Sequence, residues 1–379
     1  MPSHLSGDCD PRFEGVRTAF ERNFVEHGEV GAAVAVYWHG RPVVDLWGGM
    51  RDRDRGLPWE AGTMACMLSV AKGISATAMA MAYDRGLVDL DAPVARYWPA
   101  FAQAGKEGIT VRTALSHLAG VPVADSLSEG DIYDFDRMAA GIAAQAPLWP
   151  PGTTQVYHSA TIGHIIGSIL KGATGSSLAE FLRQEIAGPL GADYFFALTP
   201  AEEARCATMI PSPGNMVSGA KKADPDSVAF RSWRPLPASE DFNSHGWRAS
   251  EIPSVNGHGT ARGVARIYGA VACGGELDGV FLARPQSFAT LATEQPAGGV
   301  SATGMQLRMG MGYMLNSPPA RPMGPNLRTF GHSGAGGAQA FADPDAGLGY
   351  CYCCNFMHDG LDVGIRALSL IEATFASIS

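Results

Sequence analysis

Met67-Leu68-Ser69-Val70-Ala71-Lys72-Gly73-Ile74-Ser75-Ala76-Thr77-Ala78 sets a serine and a lysine three positions apart at the mouth of an apolar, alanine-rich run. The pattern predicts a buried helix with Ser69 and Lys72 at its first turn. Residues three apart share a helix face, so the Lys72 side chain can lie against the Ser69 hydroxyl. First-turn N–H groups lack internal partners and the helix dipole favours negative charge there, which places donors beside the serine oxygen. Acyl transfer needs this arrangement. A serine becomes a useful nucleophile once a group of lowered pKa takes its proton and donors hold the developing oxyanion.

Ser-x-x-Lys also occurs at Ser168/Lys171 and Ser218/Lys221, and context separates the three. Ser168 and Lys171 end an apolar helical stretch just before Gly172, where a lysine faces solvent near a helix C-terminus. Ser218 and Lys221 follow Pro211-Ser212-Pro213-Gly214 in sequence that reads as loop. Only Ser69 stands where a helix begins.

The chain has 379 residues, 46% of them hydrophobic and 17% charged, which is ample for a core in one elaborated domain or two. A net charge of -9, with no Lys/Arg run or basic stripe, argues against nucleic acid and favours a small-molecule substrate. Residues 1–10 lack the basic start and apolar core of a signal peptide, and no stretch has the roughly 18 apolar residues of a membrane span, so the expectation is a cytoplasmic protein without membrane contact. The seven cysteines are odd in number and scattered, as reduced thiols are. Cys351, Cys353 and Cys354 are crowded, but on a strand 351 and 353 face one way and 354 the other, without zinc-ligand spacing. Cys66 reads as a packed small hydrophobe.

Apolar spacing predicts a helix over 11–27, a hairpin over 31–47 turning at His39-Gly40, and helices over 110–117, 131–146, 161–172, 177–186 and 260–272. Thr110 is a candidate cap. Residues 205–256 carry six prolines and little periodicity; the reading is a long irregular, substrate-facing flap. Strand patterns return over 308–315, 329–342 and 348–356, before a final helix over about 361–376. Strands therefore gather at both ends: residues 1–68 and 260–379 form one domain of strands and helices, and 69–259 a mainly helical one between them.

Two further stretches complement Ser69. Pro151 to Ser159 carries Tyr157-His158-Ser159 at the end of a Pro/Gly loop, and a phenol can shuttle a proton when a neighbour tunes its pKa. His332-Ser333-Gly334 lies on a strand followed by glycines that let backbone approach a ligand. In this order the three resemble the serine β-lactamase/penicillin-binding-protein superfamily, and most nearly its class C-like branch, which includes the family VIII carboxylesterases. Ser69-x-x-Lys72 matches in full, Tyr157-x-Ser159 has serine for the motif asparagine, and His332-x-Gly334 stands where lactamases have Lys-Thr-Gly. Residues 43–49, 115–122 and 331–344 extend the likeness over most of the chain.

The resemblance implies an α+β, β-lactamase-like fold: an antiparallel sheet flanked by helices, with an inserted helical part. It implies an acyl-enzyme mechanism, with Ser69 as nucleophile and Lys72 and Tyr157 sharing the general-base role. Tyr157 would donate to the leaving group, and the oxyanion hole would be the backbone N–H groups of Ser69 and Ala335. Ser159, His332 and Gly334 would contact substrate. No metal or organic cofactor is implied. A neutral His332 would hold a substrate carboxylate poorly, and Ser159 lacks the two-sided amide of asparagine; both favour a neutral ester over a β-lactam. The reading is a carboxylesterase for small or short-chain esters, with an acyltransferase, an amidase or a weak β-lactamase as the alternative. Gly331-His332-Ser333-Gly334 also begins like a nucleophile elbow, but Ala335 holds the fifth position and strand follows instead of helix.

Overall fold

Side-chain alternation along one central strand sorts the core into two halves. The computed structural model describes residues 5–214, 216–295, 299–300, 306–360 and 362–379. Its large sheet comprises β1 (Leu5–Cys9), β2 (Gly31–Trp38), β3 (Arg41–Asp52), β4 (Leu57–Pro58), β5 (Met314–Leu315), β6 (Phe330–Ser333), β7 (Gln339–Asp343) and β8 (Leu348–Cys354). The order is β1-β3-β2-β8-β7-β6-β5, with β4 on β3, and every pairing is antiparallel. C-terminal β8 thus lies beside N-terminal β2, with Cys351 opposite Ala35. The predicted turn at His39-Gly40 joins β2 to β3; both residues have positive φ, 48° and 76°, as the favoured two-residue hairpin requires.

On one face of β2, β7 and β8, Ala33, Ala35, Ala340, Ala342, Cys351 and Cys353 present small side chains. Helix α5 (Ala261–Ala272) packs there, and its backbone comes so near that a β-carbon on Gly349 would stand 2.2 Å from the Gly269 nitrogen. The opposite face carries Val34, Val36, Phe341, Tyr350 and Tyr352 against α1 (Glu14–Glu26) and α6 (Ile365–Ala376). Burying each such large side chain contributes about 1.5–3 kcal/mol before ordering costs. The predicted alternation of Cys351 and Cys353 against Cys354 is present.

Helix α2 (Val70–Asp84) packs against β6 and β7 and is buried from Val70 through Ala82, as its apolar composition requires. Helix α4 (Thr161–Thr174) packs against it, and α3 (Phe135–Ala144) packs against α4. A small sheet pairs Ala65–Cys66 with His258–Gly259 and the latter with Tyr194–Phe195. That pairing carries the chain near residue 254 to the start of α2.

Several expectations shift. The segment over 205–256 contains short helices, among them Val228–Trp233 and His245–Ala249, and buries Trp233, Leu236, Phe242 and Trp247. Its large apolar anchors, too widely spaced to show periodicity, pin it to the core instead of leaving it an irregular flap. Thr110 caps its helix, accepting from the Thr113 amide, but the helix ends at Leu115 because His117 adopts φ +60°. The final helix begins at Ile365, after Gly364 with φ +77°; Leu361 lies outside the described residues.

Candidate active site

The turn before α2 is held in an uncommon conformation. Leu68 has φ +45° and is buried, a conformation that costs a side-chain-bearing residue roughly 1–3 kcal/mol and persists only when its surroundings over-determine it. The Met67 amide donates to the Gly257 carbonyl at 3.0 Å, which ties the turn to the small sheet. Ser69 follows as the N-cap of α2 and remains 4% exposed, and its side chain caps nothing.

Lys72 is fully buried with Nζ 3.1 Å from Ser69 Oγ and 2.8 Å from the Ser254 carbonyl. No carboxylate pairs with it among the described residues, and burial pushes its pKa well below the ordinary 10.5. The other two Ser-x-x-Lys lysines differ in kind: Lys171 pairs with Asp136 at 3.5 Å and Lys221 with Glu129 at 2.5 Å. Ser254 was not singled out in the sequence. Its hydroxyl donates to the Ala160 carbonyl and accepts the Gly163 amide, so it fastens α4 beside α2 and fixes the carbonyl that Lys72 uses.

Tyr157 is buried with Lys72 Nζ 5.0 Å from its ring centre. Burial raises its pKa, and the Ser69 hydroxyl and the Arg321 charge act against that rise. Its hydroxyl lies 3.2 Å from His332 Nε2. Burial first, then the Lys72 and Arg321 charges, push His332 down to about 3, so its imidazole is neutral at physiological pH. Ser159 is buried, its amide 3.1 Å from the Tyr157 carbonyl.

Strand β6 reaches this turn through glycines. A β-carbon on Gly334 would stand 2.2 Å from the Met67 carbonyl oxygen, and one on Gly73 would stand 2.3 Å from Tyr268 Oη and 3.2 Å from the Gly331 backbone. The Ser69 turn and the 334–335 backbone are therefore neighbours, and the amides of Ser69 and Ala335 donate to no acceptor among the described residues. Two unspent N–H donors beside a nucleophile are what a developing oxyanion needs. Ser333, the rival serine, donates to Gln339 Oε1 at 2.7 Å, while His332 turns Nδ1 to the Ser333 carbonyl and not to its hydroxyl. Arg321 is a further cation beside Tyr157 and His332; nothing in its sequence surroundings marks it.

The chain belongs to the Beta-lactamase family, whose model matches residues 17–374. Within that family it is similar to the esterase/β-lactamase LipL of Mycobacterium tuberculosis strain H37Rv, 34% identical over 92% of this chain and 82% of the relative. Among solved structures, a family VIII carboxylesterase superposes with a TM-score of 0.90 at 38% identity, covering 99% of this chain and 100% of that one. A penicillin-binding protein homologue from Caulobacter crescentus gives 0.89 at 37% identity, with the same coverage. The expected β-lactamase-like fold, an antiparallel sheet flanked by helices, is what these likenesses and the coordinates give. Among the described residues no helix is long and apolar enough to cross a membrane.

Proposed function

We propose that the protein is a serine carboxylesterase acting through an acyl-enzyme on small or short-chain esters. The observation that carries this reading is the buried Lys72 amine, without a carboxylate partner among the described residues, 3.1 Å from the Ser69 hydroxyl. Ser69 Oγ attacks the ester carbonyl as Lys72 takes its proton, the amides of Ser69 and Ala335 hold the oxyanion, and Tyr157 serves the leaving group. Water then releases the acyl group by the reverse path. Ser159 and His332 border the acyl site, and Gly334 lets the strand close on the nucleophile turn. The similarity to a family VIII carboxylesterase and to an esterase/β-lactamase supports ester hydrolysis. The net charge of -9 fits a small-molecule substrate better than a polyanion.

The relative's double name also supports a second reading, in which the same acyl-enzyme opens a β-lactam weakly. Intact-mass spectrometry after incubation with a p-nitrophenyl acyl ester and, separately, with a cephalosporin separates the two. Fast ester turnover with an acyl adduct trapped on Ser69, and little cephalosporin consumed, is expected. An unlabelled protein with neither compound consumed overturns both readings.

A further inference from the structure

The hydrogen bonds around His332 fix where its protons are. Nδ1 lies 2.7 Å from the Ser333 carbonyl oxygen, which can only accept, so Nδ1 carries the hydrogen. In the neutral imidazole Nε2 then holds the lone pair. The group 3.2 Å away is the Tyr157 hydroxyl, so Tyr157 donates and His332 accepts. A lysine in this place would offer only donors and would favour the phenolate; this histidine favours the phenol.

The remaining neighbours do not reverse this. Lys72 approaches from α2 and Arg321 from the strand-like bridge to Ser317, and both oppose a proton on His332. His117 lies with its ring 5.2 Å from that of Tyr157 and accepts the His158 amide at Nδ1, so it too is a neutral ring. His158 donates from Nδ1 to the Val156 carbonyl and accepts the Val121 amide at Nε2. Asp362, the acid facing Arg321, meets it through its backbone carbonyl at 3.1 Å. On the other side, Lys72 keeps one N–H on the Ser254 carbonyl and stands 3.1 Å from Ser69 Oγ, and burial lowers its pKa, so that its deprotonated form turns a lone pair to the Ser69 hydroxyl.

We propose that His332 is a positioning residue that holds Tyr157 as a phenol through Nε2, so that Lys72 alone takes the Ser69 proton and Tyr157 is the acid that protonates the leaving alcohol. In the first step the Ser69 Oγ–carbon bond forms, the hydroxyl proton passes to Lys72, and the carbonyl pair moves onto oxygen. In the second the carbonyl re-forms, the bond to the leaving oxygen breaks, Tyr157 gives that oxygen its proton, and the phenolate regains one from the Lys72 ammonium. The alcohol departs, and amine and phenol are restored. The inference deepens the acyl-enzyme reading and rests on it. It also reassigns His332 from a substrate clamp to a support for Tyr157.

The test compares kcat/KM for two esters of one acyl group, a p-nitrophenyl ester whose leaving group departs unaided and an ethyl ester whose alkoxide needs a proton. General acid catalysis contributes about 10²–10⁴-fold. Tyr157→Phe should therefore slow the ethyl ester at least tenfold more than the p-nitrophenyl ester. His332→Gln, which can keep an acceptor oxygen toward the phenol, should hold the wild-type ratio between the esters within about threefold of its value. His332→Lys, a donor only, should shift that ratio tenfold or more. Equal losses on both esters in Tyr157→Phe, or one ratio shared by the Gln and Lys variants, overturn the proposal. Intact mass of the p-nitrophenyl reaction is read in parallel. Failure of the wild type to form an adduct on Ser69 would sink the acyl-enzyme reading itself. If Tyr157→Phe does not fold, the two His332 variants, which keep the phenol, decide.

Discussion

Gly334 and Met67 meet backbone to backbone: a β-carbon on the glycine would stand 2.2 Å from the Met67 carbonyl oxygen. This contact sets how closely the strand carrying His332 approaches the turn carrying Ser69. Gly334→Ala must push the two apart, and a displacement near 1 Å at a reacting centre costs on the order of 10²-fold. We expect kcat/KM to fall about 100-fold while the protein remains folded by circular dichroism. An alanine variant with wild-type kcat/KM would show that the contact does not govern the site.

Ser69→Ala should lower ester hydrolysis by about 10⁴-fold or more, as loss of a covalent nucleophile does. Ser333→Ala should retain most of the activity, because its hydroxyl is committed to Gln339. Initial rates with a p-nitrophenyl ester decide. Equal losses in the two variants would remove Ser69 from its assigned role.

Lys72 links activity to pH and to stability. Its folded-state pKa lies below the unfolded value of about 10.5, so between the two the unfolded chain binds the extra proton and native stability rises with pH. Lys72→Met, which leaves no charge to bury, should raise Tm near pH 7 by about 2 °C or more, the shift that ~1 kcal/mol produces in a mid-sized chain. That gain should shrink as pH approaches 10.5, where the unfolded lysine also loses its proton. Thermal melts at several pH values test the sign; a gain that grows with pH contradicts it. The same variant should be inactive.

Glu29, after α1, and Arg366, in α6, form a buried pair at 2.6 Å, and Tyr352 also donates to Glu29. Removing one member of a buried pair strands the other and costs about 3–5 kcal/mol, whereas replacing both is much cheaper. Arg366→Met should therefore lower the urea midpoint strongly, and Glu29→Gln combined with it should recover part of the loss. A double variant no better than Arg366→Met would mean that the pair is not coupled.

What was legible in the sequence is what depends on short spacings. Ser69 and Lys72 share a face because a helix repeats every 3.6 residues, and the segments at Tyr157 and His332 could be picked out by their loop and strand surroundings. Alternation predicted that Cys351 and Cys353 turn away from Cys354. The segment over 205–256 misled because its anchors, Trp233, Leu236, Phe242 and Trp247, recur at irregular intervals and so show no sustained period; the structure buries all four, with the Phe242 and Trp247 rings 4.5 Å apart.

The sequence by itself determined the turn that carries Ser69, the apolar helix behind it and the residue types that could serve acyl transfer. Tertiary structure decided what those residues are chemically. Burial pushes the Lys72 pKa well below its ordinary value, because α4 and residue 254 close over it with a carbonyl and, among the described residues, no carboxylate. Burial raises the Tyr157 pKa, and the Ser333 carbonyl sets the His332 tautomer whose Nε2 faces the phenol. Protonation depends on burial and on partners far apart in the chain, here 182 residues between Lys72 and Ser254 and 175 between Tyr157 and His332. Local spacing carries no record of such partners.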